Sequence, residues 1–327
     1  MINKLRQKLG PGVKADEILA PHTTYNIGGP AKYFFEATTS DALVKAINAA
    51  KELKINYFVL GGGSNILIAD SGFDGLIIKQ ANSHFSIAGD EIIAEGGALW
   101  SEILTASLKA SLVGWPWASG IPGTIGGAIR GNAGAFGRGM ADVTQAIEVY
   151  DNGTIKKISN AELAFAYRHS VIKDKPDVVV LKVFIKLKKG SPEEVKTDQE
   201  TVVAYLKRRV TTQPTDFPNS GCVFKNIDLK TVAIDKEKVL RGLDVNQDEF
   251  AEATKFGKLP SSFVVDHLGL KGKRIGGAQV SEKHAAFINN VDHAKAEEVI
   301  MLISDIKMRA RDELGIQLQE EIQYVGF

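Results

Sequence analysis

The first part of the chain alternates short apolar segments of strand type with longer stretches of helical periodicity. Residues 32–37 alternate as in a strand. Ser40 is a favourable N-cap residue, and the apolar stripe after it predicts a helix to about residue 53. The apolar run at 57–60 predicts the next strand, so these elements form a βαβ unit. The segments predicted to follow are a strand at 76–79, a hairpin at 85–95 and an amphipathic helix at 99–112.

The second part begins with a strong hairpin signal, Asp151-Asn-Gly-Thr154, between apolar runs. Ser191-Pro-Glu-Glu194 combines a capping box with proline at the first helical position, which predicts a helix ending near Arg209. The polar segment 211–218 contains two prolines and is typical of a domain boundary. The remaining predicted elements are a strand at 178–188, helices at 262–268 and 294–314, the second ended by Gly315, and strands at 285–288 and 316–325.

Composition excludes several classes of protein. The chain has 327 residues, enough for two or three domains, and its 40 basic against 39 acidic residues give no support for binding nucleic acid or a membrane surface. No apolar run approaches the roughly 18 residues of a membrane span. The single cysteine, Cys222, excludes an internal disulfide, and the histidines form no metal-binding pair. The basic amino terminus lacks the apolar core of a secretory signal, so we expect a cytosolic protein without a bound metal.

Two glycine-rich segments are the main candidates for chemistry. The first glycine segment, Gly61-Gly-Gly-Ser-Asn65, directly follows a predicted strand, as a phosphate-binding loop would. The second glycine segment, residues 120–137, holds seven glycines with almost no charge. Such density costs backbone entropy, which predicts a backbone lying close against a large ligand. Together the two segments suggest one extended nucleotide cofactor, although the first alone is also compatible with a flexible turn.

The common dinucleotide fingerprint does not describe these segments. That motif places a third glycine at the start of a helix, whereas the first glycine segment continues into a short apolar piece and a turn. A flexible linker does not describe the second segment either, because it contains Ile121, Ile125, Ile129 and Phe136.

Three further places hold side chains that are able to do chemistry. Cys222 lies among polar neighbours and its thiol, with an ordinary pKa near ~8.5, can donate a proton, but a lone cysteine is also a common buried residue. Residues 166–170 gather polar groups around Arg168, although such a cluster by itself is more often a solvated helix end. Strand alternation places Glu320 on the apolar face of the last strand and Glu321 on the other, and does not choose between them.

The order of these motifs identifies a family. The chain resembles the UDP-N-acetylenolpyruvoylglucosamine reductase family nearly from end to end. The residues that carry the resemblance are, in order, Thr23-Thr-Tyr-Asn-Ile-Gly-Gly29, the first and second glycine segments, Tyr167-Arg-His-Ser170, Gly221-Cys-Val-Phe-Lys-Asn226, Gly269-Leu-Lys-Gly272 with Gly276-Gly-Ala278, His284-Ala-Ala-Phe-Ile288 and Leu318-Gln-Glu-Glu-Ile322.

The resemblance implies an α+β protein with a flavin-binding domain of the vanillyl-alcohol-oxidase (PCMH) type. This domain would span residues 21–200, in subdomains of about 21–80 and 81–200, after an N-terminal segment 1–20. A smaller α+β substrate-binding domain would span 210–327. We expect FAD to be bound non-covalently, since neither glycine segment contains histidine or cysteine. The implied cofactor contacts are Gly61, Gly62, Gly63, Ser64, Asn65, Gly120, Ile121, Pro122, Gly123, Thr124, Gly126, Gly127, Ala133 and Gly134.

The implied reaction is the NADPH-dependent reduction of UDP-N-acetylglucosamine-enolpyruvate to UDP-N-acetylmuramate, in peptidoglycan precursor synthesis and therefore in cell-wall formation, cell shape and division. NADPH would reduce FAD, and the flavin would pass hydride to the enolpyruvyl carbon. Arg168 would stabilise charge at the substrate carboxylate, and the resemblance selects Glu321 rather than Glu320 as the third catalytic residue. Tyr167, Lys225 and Asn226 would contact the substrate by position.

The departure from the family pattern is Cys222. Most members have serine there, as the acid that protonates the intermediate, and a thiol is a more acidic group in the same role.

Two rival functions share part of the sequence signal. An FAD-dependent oxidase or dehydrogenase acting on a sugar or alcohol would keep the glycine segments without needing Arg168, Cys222 and Glu321. A catalytically silent nucleotide-binding protein would tolerate the loss of Cys222.

Overall fold

The structure is a computed structural model that describes all 327 residues. The nine α-helices are α1 (Ile2–Leu9), α2 (Ser40–Glu52), α3 (Trp100–Lys109), α4 (Ile125–Arg130), α5 (Pro192–Thr212), α6 (Lys236–Leu243), α7 (Gln247–Ala253), α8 (Ser261–His267) and α9 (Ala296–Leu314). The strands are β1 (Lys14–Ile18), β2 (Pro30–Ala37), β3 (Tyr57–Leu60), β4 (Ile66–Ile68), β5 (Phe73–Gln80), β6 (Phe85–Ala88), β7 (Glu91–Glu95), β8 (Leu112–Val113), β9 (Gly134–Ala135), β10 (Arg138–Gly139), β11 (Thr144–Asp151), β12 (Thr154–Ser159), β13 (Val179–Lys186), β14 (Lys188–Lys189), β15 (Ile227–Asp228), β16 (Lys258–Leu259), β17 (Arg274–Ile275), β18 (Ala278–Val280), β19 (Ile288–Asn290) and β20 (Gln323–Val325).

The chain divides into two compact units. The first unit contains residues 1–17, 31–62 and 74–211, and the second contains 18–30, 63–73 and 212–327. The sequence analysis placed residues 21–80 together, whereas two short pieces of that range belong to the second unit. The physical reason is long-range pairing, since β4 pairs in parallel with β20 from the opposite end of the chain.

The first unit is built on two sheets. One has the strand order β1-β2-β5-β3, and the other has the order β12-β11-β13-β7-β6 with antiparallel neighbours. In the first sheet β3 runs parallel to β5, with Leu60 opposite Lys79 at their carboxyl ends. Helix α2 buries the stripe Leu43, Ala46, Ile47 and Ala50 in the core beside this sheet. The first glycine segment therefore starts at the carboxyl edge of a sheet, where α/β proteins usually bind ligands.

The second unit has one core around the long helix α9. Its buried stripe includes Val299, Leu302, Ile306 and Ala310, which recur at helical spacing. Three small sheets accompany it, with the orders β15-β16, β17-β18-β19 and β20-β4. The carboxylate of Asp70 accepts hydrogen bonds from the first amides of α9, at 2.9 Å from Ala296 N and 3.1 Å from Glu297 N. A distant loop thus caps this helix.

Several local predictions are confirmed. Ser191 and Glu194 form the predicted reciprocal capping box, with Ser191 N 2.9 Å from Glu194 Oε2 and Glu194 N 3.3 Å from Ser191 Oγ. The hairpin β11–β12 turns at Asn152 and Gly153, both at positive φ, as the predicted turn type requires. Gly315 ends α9 in the left-handed region.

Two local predictions are wrong. Thr39, not Ser40, is the N-cap of α2, since its side chain accepts a hydrogen bond from Ala42 N. The predicted final strand at 316–325 is regular only in β20, with an isolated bridge from Glu320 to Phe224 before it. Its first residues are buried by packing against the core rather than by strand pairing, so the apolar pattern predicted a strand that is too long. No helix of the structure has both the length and the apolar character that a membrane crossing requires.

Candidate active site

The two glycine segments meet in the first unit, at the Thr124 side chain beside Gly61 and at the Gly123 backbone beside Gly62. A Cβ on Gly61 would lie 2.7 Å from Thr124 Oγ1, and one on Gly62 would lie 2.6 Å from the Cα of Gly123. The sequence analysis expected these glycines to be needed because a ligand approaches. The structure gives a further reason for glycine at Gly61 and Gly62, because the second glycine segment occupies the space that a Cβ would need.

Gly126 and Gly127 begin helix α4 and differ in their surroundings. Gly126 is buried, its amide donates to the carbonyl of Gly96 at 2.9 Å, and an added Cβ would lie 2.8 Å from that oxygen. Gly127 is exposed, and the nearest atom to an added Cβ is Thr124 Oγ1 at 3.5 Å, an ordinary contact. Of these two glycines, Gly127 is the one with an exposed backbone and room for a Cβ.

The other predicted cofactor contacts of the second glycine segment also lie in the first unit. Gly120 is at positive φ, and Ile121 packs partly against the core of the second sheet. Pro122 is exposed, and the carbonyl of Ala133 accepts from Met140 N at 3.1 Å. Gly134 pairs with Gly139 across β9 and β10, so it has no room for a side chain.

The rest of the first glycine segment belongs to the second unit. Gly63 is at positive φ and its carbonyl accepts from Thr24 N at 3.1 Å. Ser64 is half-buried. Asn65 is bound to the final segment of the chain, since its Nδ2 donates to the carbonyl of Glu321 at 3.1 Å. The predicted phosphate loop thus passes from one unit to the other between Gly62 and Gly63.

Lys79 is a residue of this region that sequence analysis missed. Its Nζ donates to the carbonyl of Gly61 at 2.6 Å. Burial lowers the pKa of Lys79 from its ordinary value, while the nearby carboxylate of Glu36 acts in the opposite direction. The sequence signal was a lysine directly after the fully buried run Leu76–Ile78, at the end of a strand.

Arg168 lies at the tip of a tight turn in the first unit. Ala166 and His169 close this turn with two backbone hydrogen bonds of 3.0 and 3.2 Å, which leaves Tyr167 and Arg168 at the tip. Arg168 adopts a φ of 56°, a region that non-glycine residues enter at a cost. Its Nη1 donates to the carbonyl of Gly134 at 3.2 Å, so the second glycine segment orients the guanidinium. Tyr167 contributes its ring, whose centroid is 5.4 Å from the Arg168 guanidinium carbon.

Cys222 lies in the second unit between two neighbouring segments. It is half-buried and forms an isolated antiparallel bridge with Phe287. The next residue, Val223, donates to Ala286 O at 2.8 Å, and its carbonyl accepts from Glu321 N at 2.7 Å. The backbone therefore brings the neighbourhoods of Cys222, His284–Phe287 and Glu321 together, although they are far apart in the sequence.

The two glutamates of the last segment have different surroundings. Glu320 forms an ion pair with Lys307 of α9, with Nζ and Oε1 2.7 Å apart. Glu321 is half-buried and its backbone is fixed on both sides, by Val223 and by Asn65. Glu320 is therefore held against α9, whereas Glu321 lies on the segment that is hydrogen-bonded to Val223.

Lys225 and Asn226 follow Cys222 on the same strand-like segment. Lys225 N donates to Gln319 O at 2.9 Å, and the side-chain oxygen of Asn226 accepts from Ser261 N at 3.1 Å. The Asn226 amide thus helps to begin helix α8, a structural role that the sequence did not indicate.

Nearby, the His284 ring packs 4.9 Å from that of Phe287. Burial lowers the pKa of His284 from its ordinary value, and the charge of Lys271 acts in the same direction.

Comparison with known proteins identifies the class first. A profile of FAD binding domains matches residues 31–159, the part of the chain that holds both glycine segments up to β12. The fold and the paired glycine segments therefore define an FAD-dependent oxidoreductase. A second profile, the C-terminal domain of UDP-N-acetylenolpyruvoylglucosamine reductase, matches residues 213–325. The chain belongs to the UDP-N-acetylenolpyruvoylglucosamine reductase family.

Full-length relatives support this assignment. A UDP-N-acetylenolpyruvoylglucosamine reductase of Caldanaerobacter subterraneus subsp. tengcongensis is 36% identical over 329 residues, covering 100% of this chain and 98% of the relative. That of Alkaliphilus oremlandii is 38% identical over 317 residues, covering 96% and 93%. The crystal structure of the reductase from Thermus caldophilus superposes with a TM-score of 0.74 at 27% identity, covering 94% of this chain and 97% of that one.

Proposed function

We propose that this protein reduces the enolpyruvyl double bond of UDP-N-acetylglucosamine-enolpyruvate with NADPH, giving UDP-N-acetylmuramate for peptidoglycan precursor synthesis. The observation that carries the proposal is the agreement of both halves of the chain with one family, at 36% identity over 100% of its length. The substrate is a UDP-sugar, and we place the reaction in the cytoplasm. A lone, half-buried thiol at Cys222 suits a reducing compartment.

The proposed cofactor contacts fit FAD. Gly62 packs directly on the backbone of Gly123, Gly61 lies against the Thr124 hydroxyl, and the backbone of Gly127 nearby is exposed. Glycine backbone without a Cβ allows a diphosphate to approach closely. FAD held by these residues would supply the chemistry of hydride transfer between NADPH and the terminal enolpyruvyl carbon. The chain offers no histidine or cysteine in either glycine segment, so the proposed attachment is non-covalent.

Arg168 is proposed to bind the substrate carboxylate, where negative charge accumulates as hydride arrives. A guanidinium offers two parallel N–H donors to a carboxylate, and its charge is permanent. The Gly134 carbonyl and the closed turn hold the group before substrate binds. Pre-organisation of this kind stabilises developing charge without reorganisation during the reaction. We propose Tyr167, Lys225 and Asn226 as further substrate contacts.

Cys222 is proposed to give its Sγ proton to the carbon next to the substrate carboxylate. A thiol carries a proton that it can donate. The bridge to Phe287 and the backbone bonds of Val223 fix the position of the thiol. Glu321, on the segment paired with Val223, is proposed to act beside the substrate carboxylate in a protonated or hydrogen-bonded form.

The test is an anaerobic separation of the two half-reactions. The purified protein should be yellow and lose its visible absorbance when NADPH is added. Addition of UDP-N-acetylglucosamine-enolpyruvate should restore the absorbance with one equivalent of substrate, giving a product heavier by two hydrogen atoms. Reduction of the flavin by a sugar or alcohol, with reoxidation by oxygen alone, would instead identify an oxidase. Bound flavin that neither NADPH nor substrate changes would identify a silent binding protein.

A further inference from the structure

Lys79 is a partly buried cation beside Gly61, where the first glycine segment begins. It lies on β5 directly opposite Leu60, the last residue of β3 before Gly61. Its Nζ donates to the Gly61 carbonyl at 2.6 Å, so the ammonium is fixed at the carboxyl edge of the sheet. Gly61 in turn lies against Thr124 of the second glycine segment. Lys79 is thus joined through one carbonyl to the place where both segments meet.

The single hydrogen bond to Gly61 does not account for a cation at this position. An ammonium has three donors, and a carbonyl can be held equally well by a neutral amide. Lys79 forms no ion pair with a carboxylate, although Glu36 on neighbouring β2 is close enough to influence its charge. Its desolvation is unfavourable, which shows in its lowered pKa. A partly buried cation with spare donors and no carboxylate paired to it calls for an anionic partner.

We propose that Lys79 is a cofactor-positioning residue, which fixes the Gly61 carbonyl and directs its positive charge toward the diphosphate of FAD. The inference rests on the proposed placement of that diphosphate at the first glycine segment. The backbone amides of the glycine segments supply neutral donors, and Lys79 supplies the compensating charge. The role is confined to binding, so no step of the reaction passes through this side chain.

The experiment measures FAD release from the holoenzyme. The wild type and the variants Lys79→Met and Lys79→Gln are serially diluted, and the freed FAD is followed by its fluorescence. Methionine keeps the apolar stem and removes the charge and the donor, whereas glutamine keeps a neutral donor for Gly61. Lys32→Met is the matched control, because Lys32 lies on the adjacent strand β2 and is paired at the surface with Asp74. Circular dichroism confirms that each variant is folded.

We expect Lys79→Met and Lys79→Gln to bind FAD roughly 10- to 150-fold more weakly, the range for a lost hydrogen bond to a charged group. Lys32→Met should bind like the wild type. The difference between wild type and Lys79→Met should shrink severalfold as NaCl is raised from about 20 mM to about 500 mM, because salt screens charge. Wild-type affinity in Lys79→Gln would overturn the role of the charge, and wild-type affinity in both variants would overturn the inference altogether.

Gly127→Ala separates this inference from the proposed cofactor site. If Gly127→Ala weakens FAD binding and the Lys79 variants do not, the diphosphate site stands and only the role of Lys79 fails. If none of these variants changes FAD affinity, the placement of the diphosphate itself is wrong.

Discussion

Gly127→Ala tests the cofactor site with one methyl group, because the structure predicts opposite effects on the free and the flavin-bound protein. The added Cβ would meet no protein atom closer than Thr124 Oγ1 at 3.5 Å, so the free protein accepts it. Alanine in a helix is more favourable than glycine by about 0.8–1.0 kcal/mol. The FAD-free protein should therefore unfold at a temperature higher by roughly 2–4 °C, the shift expected per kcal/mol for a domain of this size.

The flavin-bound protein should show the opposite change. The methyl group occupies the open side of the Gly127 backbone, where the diphosphate is proposed to lie. Loss of one hydrogen bond to a charged group corresponds to about 1.5–3 kcal/mol, or roughly a 10- to 150-fold weaker affinity for FAD. Thermal unfolding with and without added FAD, together with the dilution assay for released flavin, measures both effects on the same samples.

Two matched variants frame the result. Gly12→Ala adds a methyl to an exposed glycine with nothing within 4 Å, so it should change neither stability nor FAD affinity. Gly62→Ala places its methyl 2.6 Å from the Cα of Gly123, so the free protein itself should be destabilised. If Gly127→Ala keeps wild-type affinity while its free form is stabilised, the reasoning that assigns the diphosphate to this site is refuted.

Three further predictions concern single side chains. Cys222→Ala should slow flavin reoxidation by substrate about 10²- to 10⁴-fold and leave flavin reduction by NADPH nearly unchanged, while Cys222→Ser should remain active. Stopped-flow absorbance separates the two steps. A wild-type rate of reoxidation in the alanine variant would show that the thiol only packs. Arg168→Lys keeps the charge but loses the two-pronged donor, so substrate-dependent reoxidation should fall with NADPH reduction preserved; equal losses in both steps would indicate a structural role. His284, whose pKa is lowered by burial from its ordinary 6.5, favours the neutral form in the folded state. Its contribution to stability should be present above pH 6.5 and be lost as the pH falls below that value, so urea unfolding of His284→Gln should depend less on pH across this range than that of the wild type.

The local elements of this protein follow from short stretches of sequence. The capping box at Ser191–Glu194, the turn at Asn152-Gly153 and the helix end at Gly315 each depend on residues within a few positions of one another. Such signals act through the backbone geometry of their own neighbourhood, so they are readable without knowing the fold. The failure at Ser40 has the same scale, since two adjacent hydroxyl residues compete for one cap and Thr39 has the extended backbone that a cap requires.

The motifs of the active site were also recognisable from sequence, but the reasons for their residues were not. The density of glycine in residues 120–137 predicted a ligand surface. In the structure, Gly61 and Gly62 are glycine because the two segments pack on each other, and only Gly127 among the glycines that begin α4 faces open space. Sequence alone does not distinguish a glycine that admits a ligand from one that admits another backbone, because both conditions depend on atoms distant along the chain.

Tertiary structure alone decided which distant segments act together. The parallel pairing of β4 with β20 draws residues 63–73 into the second unit, and it fixes Glu321 between Asn65 and Val223. It also separates the two glutamates, since Glu320 pairs with Lys307 of α9. The position of Lys79 also depends on tertiary structure, because the register of β5 against β3 places its ammonium group at the Gly61 carbonyl. Periodicity in the sequence determines which face of an element is buried. Which other element covers that face depends on how the whole chain packs to minimise its exposed apolar surface.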